Sequence, residues 1–136
     1  MAWVVDTCLL LDVALDDPKF FPASARLLDE KQADGLVACP VSVMEVSPVF
    51  AGQMPAVAEF LDRLNNPPAE PWTNADTQAV FTAWHNYVAA KRQGQIAKRP
   101  IADVLIGAFA MRFQGLLTRN PSDFRQLFPA LPIIEP

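Results

Sequence analysis

The sequence predicts an α/β fold in three layers, α/β/α, with a central, mostly parallel sheet of four or five short strands and more helix than strand. Two observations carry that reading. Short apolar runs without polar alternation, such as Ala2-Trp3-Val4-Val5 and Leu36-Val37-Ala38-Cys39, suit strands buried on both faces. Between them lie longer stretches with helical spacing, and strands that alternate with helices imply a parallel sheet covered on both sides. With 136 residues, no internal repeat and no long linker, residues 1–136 read as one domain.

The elements follow in order. The first strand ends at Asp6-Thr7, and Cys8 to Leu15 reads as a short apolar helix broken by Asp16-Asp17-Pro18. A second helix spans about Phe20 to Ala33 and closes at Gly35, followed by the strand from Leu36 to Cys39. Pro40 and Ser42 open a helix through about Phe50, and Met54 to Leu64 forms another. After the turn from Pro67 to Pro71, Trp72 reads as a brief strand. Asn74 to Gln93 is helical, with Val80, Trp84, Tyr87 and Val88 on one stripe. Arg99-Pro100 starts a further helix carrying Ile101, Leu105, Ala108 and Arg112. Gly115 ends it, Leu116 to Thr118 is a strand, and Leu131 to Ile134 is the last one.

Composition narrows the function. Hydrophobic residues make up 51% and charged residues 19%, enough for a packed core. Lys and Arg total 11 against 15 Asp and Glu, so a polybasic nucleic-acid coat or membrane binder is excluded. No run approaches the roughly 18 apolar residues of a membrane span. Asp6 and Asp12 interrupt the apolar N-terminus and no basic residue precedes Lys19, so a cytoplasmic location is expected. Cys8 and Cys39 have no metal-finger spacing.

In an open parallel sheet the strand-to-helix junctions share one edge, where ligands bind. Asp6, Glu45 and Asp103 fall at such junctions, and Arg119-Asn120-Pro121-Ser122-Asp123 follows another strand. Each acid also has a structural reading. Asp6 suits a helix cap, Ser42-Val43-Met44-Glu45 matches a capping box, and Asp103 suits the positive end of a helix dipole. Yet Asp103 sits in Ile101-Ala102-Asp103-Val104-Leu105-Ile106, where a carboxylate needs a partner that a hard cation would supply.

Val4-Val5-Asp6-Thr7, Pro40-Val41-Ser42-Val43-Met44-Glu45-Val46, Ile101 to Ala108, Leu116-Leu117-Thr118-Arg119-Asn120 and Asp123-Phe124 together resemble the PIN-domain family, and more narrowly the VapC toxins of bacterial toxin–antitoxin pairs. The resemblance runs through the whole chain. It implies a PIN-like fold and metal-dependent cleavage of RNA, with Asp6, Glu45 and Asp103 around Mg²⁺ or Mn²⁺. It also implies Asn120 among the catalytic residues, Thr7, Arg119 and Arg99 on the substrate side, a VapB-like antitoxin partner and a homodimer. Phe50, Met54, Val57, Phe60 and Leu61 have the spacing of a groove for the antitoxin or of ordinary core. The chain departs from the family twice. Cys8 stands where Asn is usual, and Asn120 stands where a fourth acid is usual, with Asp123 as a possible substitute three residues on.

Other classes fit less well. A receiver domain wants paired acids on its first strand, a haloacid-dehalogenase-type phosphatase wants Asp-x-Asp, and a dinucleotide-binding domain wants a glycine-rich turn. None is present after Val5. His85 is the sole histidine and lies far from the acids in sequence, which disfavours a two-histidine ribonuclease mechanism. Lys91, Arg92, Lys98 and Arg99 form a basic cluster suited either to RNA phosphates or to a solvated helix end. The non-enzyme alternative is a PIN-like scaffold with weakened catalysis, to which Cys8 and Asn120 point.

Overall fold

A computed structural model describes residues 1–65, 70–92 and 101–136. Among them the strands are β1 (Trp3–Val5), β2 (Leu36–Val37), β3 (Gly115–Leu117) and β4 (Ile133–Ile134). The helices are α1 (Thr7–Ala14), α2 (Phe21–Lys31), α3 (Pro40–Glu45), α4 (Met54–Arg63), α5 (Asn74–Arg92), α6 (Ile101–Ala110) and α7 (Pro121–Leu127). The sheet order is β2-β1-β3-β4, and every pairing is parallel.

Register explains why so few strand residues suffice. Val37, Val4, Leu116 and Ile133 line up across the four strands and point to one face. There they meet Ala83 of α5, Val104 and Phe109 of α6, and Phe124 of α7. Leu36 and Trp3 form the next row, with Val5, Leu117 and Ile134 beyond, and these point to the opposite face. That side packs on Leu9 and Leu10 of α1, Leu27 and Leu28 of α2, and Val57 and Leu61 of α4. Successive strand residues alternate between faces, and both faces are covered, so apolar runs without polar residues are what this sheet requires. Gly115, expected to end a helix, instead opens β3, and the position must be glycine because a Cβ there would overlap the Pro132 carbonyl oxygen and lie 2.6 Å from the Trp3 indole.

Several elements differ from the sequence expectation. The helix expected through Phe50 stops at Glu45 and resumes as a 3₁₀ turn at Ser47–Phe50. Pro48 has no N–H for the Met44 carbonyl, so a continuous helix would lose that bond. The helix from Phe20 likewise ends at Lys31, with a 3₁₀ turn at Gln32–Asp34. Trp72 is not in a strand; its indole Nε1 donates to Thr77 Oγ1 at 2.8 Å and its ring stacks on Phe109. The buried stripe of α5 is Asp76, Ala83 and Tyr87, whereas Trp84 is exposed. Arg99, Pro100, Lys98, Gln93 and the turn at Pro67 lie outside the described residues.

Asp76 is buried because Arg112 closes a fork on it. Nε donates to Oδ1 at 3.1 Å and Nη2 to Oδ2 at 3.0 Å, while the guanidinium lies over the Phe109 and Phe113 rings. Burial alone would raise the Asp76 carboxyl, but the Arg112 fork outweighs it and holds the group below the usual carboxylate range. A depressed folded value means stability present at neutral pH and lost as pH falls through that value. Arg112→Gln is therefore expected to cost roughly 2 kcal/mol at neutral pH, discounting for the partial exposure of Arg112. In urea titrations the gap from wild type should close as pH drops below about 4; an equal gap at every pH would contradict the pairing.

Candidate active site

Strand order turns the chain in two directions from β1: β2 lies on one side and β3 on the other. The crevice beyond the carboxyl ends of β1 and β3 is thus the switch point where open parallel sheets bind ligands. Asp6 follows β1 and Thr118 follows β3. The Asp6 N–H donates to the Leu117 carbonyl at 2.9 Å, and the Thr118 hydroxyl donates to Asp6 Oδ2 at 2.7 Å. Asp6 is also the N-cap of α1, its Oδ1 accepting the Thr7 N–H at 2.8 Å. The capping reading of Asp6 thus holds, and Oδ2 remains available to the crevice's other groups.

Glu45 reaches the same place from α3. Thr7 Oγ1 lies 2.7 Å from Glu45 Oε1 and 2.8 Å from Ser42 Oγ. A carboxylate only accepts, so the Thr7 proton goes to Glu45 and the Ser42 hydroxyl is left to donate to Thr7. Thr7 is buried, and its hydroxyl ties α1 to α3. The capping box is not formed. Cys39 is the N-cap of α3, Ser42 lies inside the helix, and Glu45 is its last residue, because Pro40 moves the start three residues earlier than a Ser42 cap would set it.

Electrostatics set Asp6 apart. Burial raises its carboxyl above the ordinary value, and hydrogen bonds from Thr118, Cys8 and Thr7 offset this only in part, while nearby Glu45 raises it further. Cys8 Sγ lies 3.4 Å from Asp6 Oδ2, and burial together with Asp6 pushes the thiol up to about 12. Cys8 is therefore a protonated donor beside Asp6 and no thiolate nucleophile. Burial similarly takes Cys39 up to about 11.

The remaining candidates stand at different distances from this pair. Asp103 lies in the first turn of α6, half-buried, on a helix that contacts α3. Among the described residues, no three His, Cys, Asp or Glu side chains are grouped closely enough to hold one ion. Asp6 and Glu45 are thus brought together without Asp103 completing a group of three. Asn120 is exposed at the start of α7, its side chain does not cap the helix, and its N–H donates to Thr118 Oγ1 at 3.0 Å. Asp123 is half-buried in the first turn of α7. Arg119 directs its fork at Asp12, Nε to Oδ2 at 2.8 Å and Nη2 to Oδ1 at 3.0 Å. His85 is exposed on α5, and Arg99 lies outside the described residues.

Sequence reasoning missed Thr118, Ser42 and Asp12 as members of this neighbourhood. Asp12 carried a usable signal: an acid inside the apolar stretch from Cys8 to Leu15 must find a cation or donors when buried. Thr118 and Ser42 carried none, since hydroxyl residues are common at both positions' kind of turn.

No family model and no curated protein matches the sequence. Among solved structures, a chain of the crystal structure of VapBC2 from Rickettsia felis bound to a DNA fragment from their promoter is similar. Its TM-score is 0.66 at 16% identity, with 99% of this chain and 98% of that chain covered. Identity that low shows a shared fold. The chain has the PIN-like three-layer α/β/α architecture, with one parallel sheet between two helical layers.

An acid whose folded value is raised binds its proton more tightly folded than unfolded, so its charge subtracts stability at neutral pH. That loss is relieved as pH falls through the raised folded value toward the ordinary one. Asp6→Asn is accordingly expected to melt at or above the wild-type temperature at pH 7. The difference should shrink on acidification; a variant markedly less stable at pH 7 would show that Asp6 is a structural cap first.

Proposed function

We propose that the chain is a metal-dependent endoribonuclease of the VapC toxin kind. The observation that carries the reading is the buried Asp6 beside Glu45 at the switch point of a PIN-like sheet. Two carboxylates whose charges oppose each other fit a hard divalent cation, which prefers oxygen ligands, and Mg²⁺ commonly binds only one or two protein carboxylates. Asp6 and Glu45 would hold Mg²⁺ or Mn²⁺, with Asp103 contributing from α6, which packs on α3. The ion's chemistry is to make a bound water more acidic and to aim it at a phosphodiester phosphorus.

The chain's own residues do the positioning. Thr118 and the Thr7 N–H each hold one Asp6 oxygen, fixing the carboxylate plane. The Thr7 hydroxyl keeps Glu45 directed toward α1 despite its exposure. Asn120, next to the Thr118 pivot, would orient water at the edge of the site, and Lys91 and Arg92 at the exposed end of α5 would meet flanking phosphates.

The VapBC2 neighbour supports an antitoxin partner for this chain and a toxin–antitoxin setting; a cytoplasmic location and a homodimer are part of the same proposal. A groove of about 520 Å³, lined by Val13, Phe50, Phe60 and Leu64 with Glu59 and Arg63 on its wall, offers a seat for an antitoxin segment. Val57 and Leu61 belong to the core instead. No helix among the described residues is long and apolar enough to cross a membrane. A second reading, a PIN-like scaffold with weakened catalysis, draws on the missing group of three ligating side chains among the described residues.

Incubating the chain with RNA and Mg²⁺ or Mn²⁺ separates the two. The nuclease cleaves, EDTA stops it and Mn²⁺ restores it; a chain that neither binds Mn²⁺ nor cuts RNA is the scaffold. Glu45→Gln keeps an oxygen for the Thr7 hydroxyl but removes the charge, and Asp103→Asn does likewise in α6. Each should cut cleavage by roughly 100-fold or more, with melting temperature within a few degrees. Wild-type rates in both variants would remove these acids from the chemistry.

Asn120 and Asp123 are distinguished by alanine. Asn120→Ala is expected to slow cleavage while Asp123→Ala leaves it near wild type. The reverse result would place the fourth site at Asp123, and two silent substitutions would leave both residues to the turn at Pro121.

A further inference from the structure

Asp12 is 3% exposed, on α1, and belongs to none of the groups assigned above. Its carboxylate takes three side-chain donors: two from Arg119 and the Ser24 hydroxyl of α2, which reaches Oδ2 at 2.8 Å. The Arg119 guanidinium also lies over the Phe20 ring, 3.9 Å from its centroid. Fork and stack together fix the guanidinium in both direction and plane. A buried pair of this kind adds little net stability compared with an apolar substitute, but it does fix where its two segments sit.

What it fixes is the strip after β3. Thr118 places its hydroxyl on Asp6 Oδ2, and the Asn120 N–H is bonded to that same hydroxyl oxygen. Thr118 Oγ1 also lies 3.7 Å from Cys8 Sγ on α1, while the Arg119 side chain reaches Asp12 further along that helix. Thr118 and Arg119 are thereby held to α1, Asn120 is bonded back to Thr118, and the longest lever among the three is the Arg119 side chain.

We propose that Asp12 and Arg119 are positioning residues: a clamp that seats Thr118 to Asn120 against α1 and so aims the Thr118 hydroxyl at Asp6. Arg119 then serves the site through Asp12 and not as a contact to RNA phosphate. The role of the clamp in metal binding rests on the nuclease reading; its hold on the strip does not.

Three measurements on the full chain test it: amide exchange at Asn120 by NMR, Mn²⁺ binding by EPR, and the salt dependence of RNA binding. Asp12→Asn and Arg119→Gln are each expected to speed Asn120 exchange and to weaken Mn²⁺ binding roughly tenfold, the range for partners that orient a ligand. The double variant should be no worse than either single one, and the salt slope of RNA binding should not change. Should Asp12→Asn fail to fold, Arg119→Lys keeps the charge opposite Asp12 without the fork and carries the same test. Wild-type exchange at Asn120 in these variants overturns the clamp, whatever the metal does. So does a salt slope reduced by about one phosphate in Arg119→Gln with Mn²⁺ binding intact. A wild-type chain that binds no Mn²⁺ and cuts no RNA sinks the nuclease reading alone, and Asn120 exchange still decides the clamp.

Discussion

The hydrogen bond from the Thr118 hydroxyl to Asp6 Oδ2 joins the carboxyl ends of β1 and β3, which are 112 residues apart in sequence and adjacent in space. Around it the backbone bond from Asp6 to Leu117 closes the same seam, and α1 starts at once from the capped Asp6. A carboxylate buried to this degree keeps its place only if its oxygens are satisfied. Thr7 and Cys8 of α1 and Thr118 after β3 supply the donors. The site's geometry is thus a by-product of how the sheet is closed.

Much of the architecture was legible because both faces of the sheet are covered. A short run of apolar, β-branched residues with no polar member suits a strand buried on both sides and little else, and all four strands fell where such runs occur. The features that escaped were those decided by single atoms. Pro48 ends α3 by withholding one N–H, and Pro40 moves its start, which together turn an apparent capping box into a helix ending on Glu45. Trp72 has strand propensity, yet its indole spends its polar end on Thr77 and its ring on Phe109.

The site was legible in part for the same reason. Strand-to-helix junctions are visible in a sequence, so Asp6 and Glu45 could be placed on one edge before any coordinates. Arg119 reads in the sequence as a substrate contact, and its fork on Asp12, 107 residues away in the middle of an apolar helix, leaves no trace there. The spacing of Asp103 from the pair is likewise a tertiary quantity, set by the packing of α6 on α3.

The strand order has a consequence for biosynthesis. β1 is made before both of its neighbours, and one of them, β3, is itself flanked by β4 and follows more than a hundred residues later, as the 112-residue separation of Asp6 and Thr118 shows. Until those late residues emerge, β1 has only the two residues of β2 to pair with, and Asp6 has no Thr118. Contacts so distant in sequence form slowly, because the intervening chain must first be closed into a loop. The seam between Asp6 and Thr118 is therefore absent from any nascent chain that has not yet exposed β3, and the crevice takes its shape only once β3 is in place.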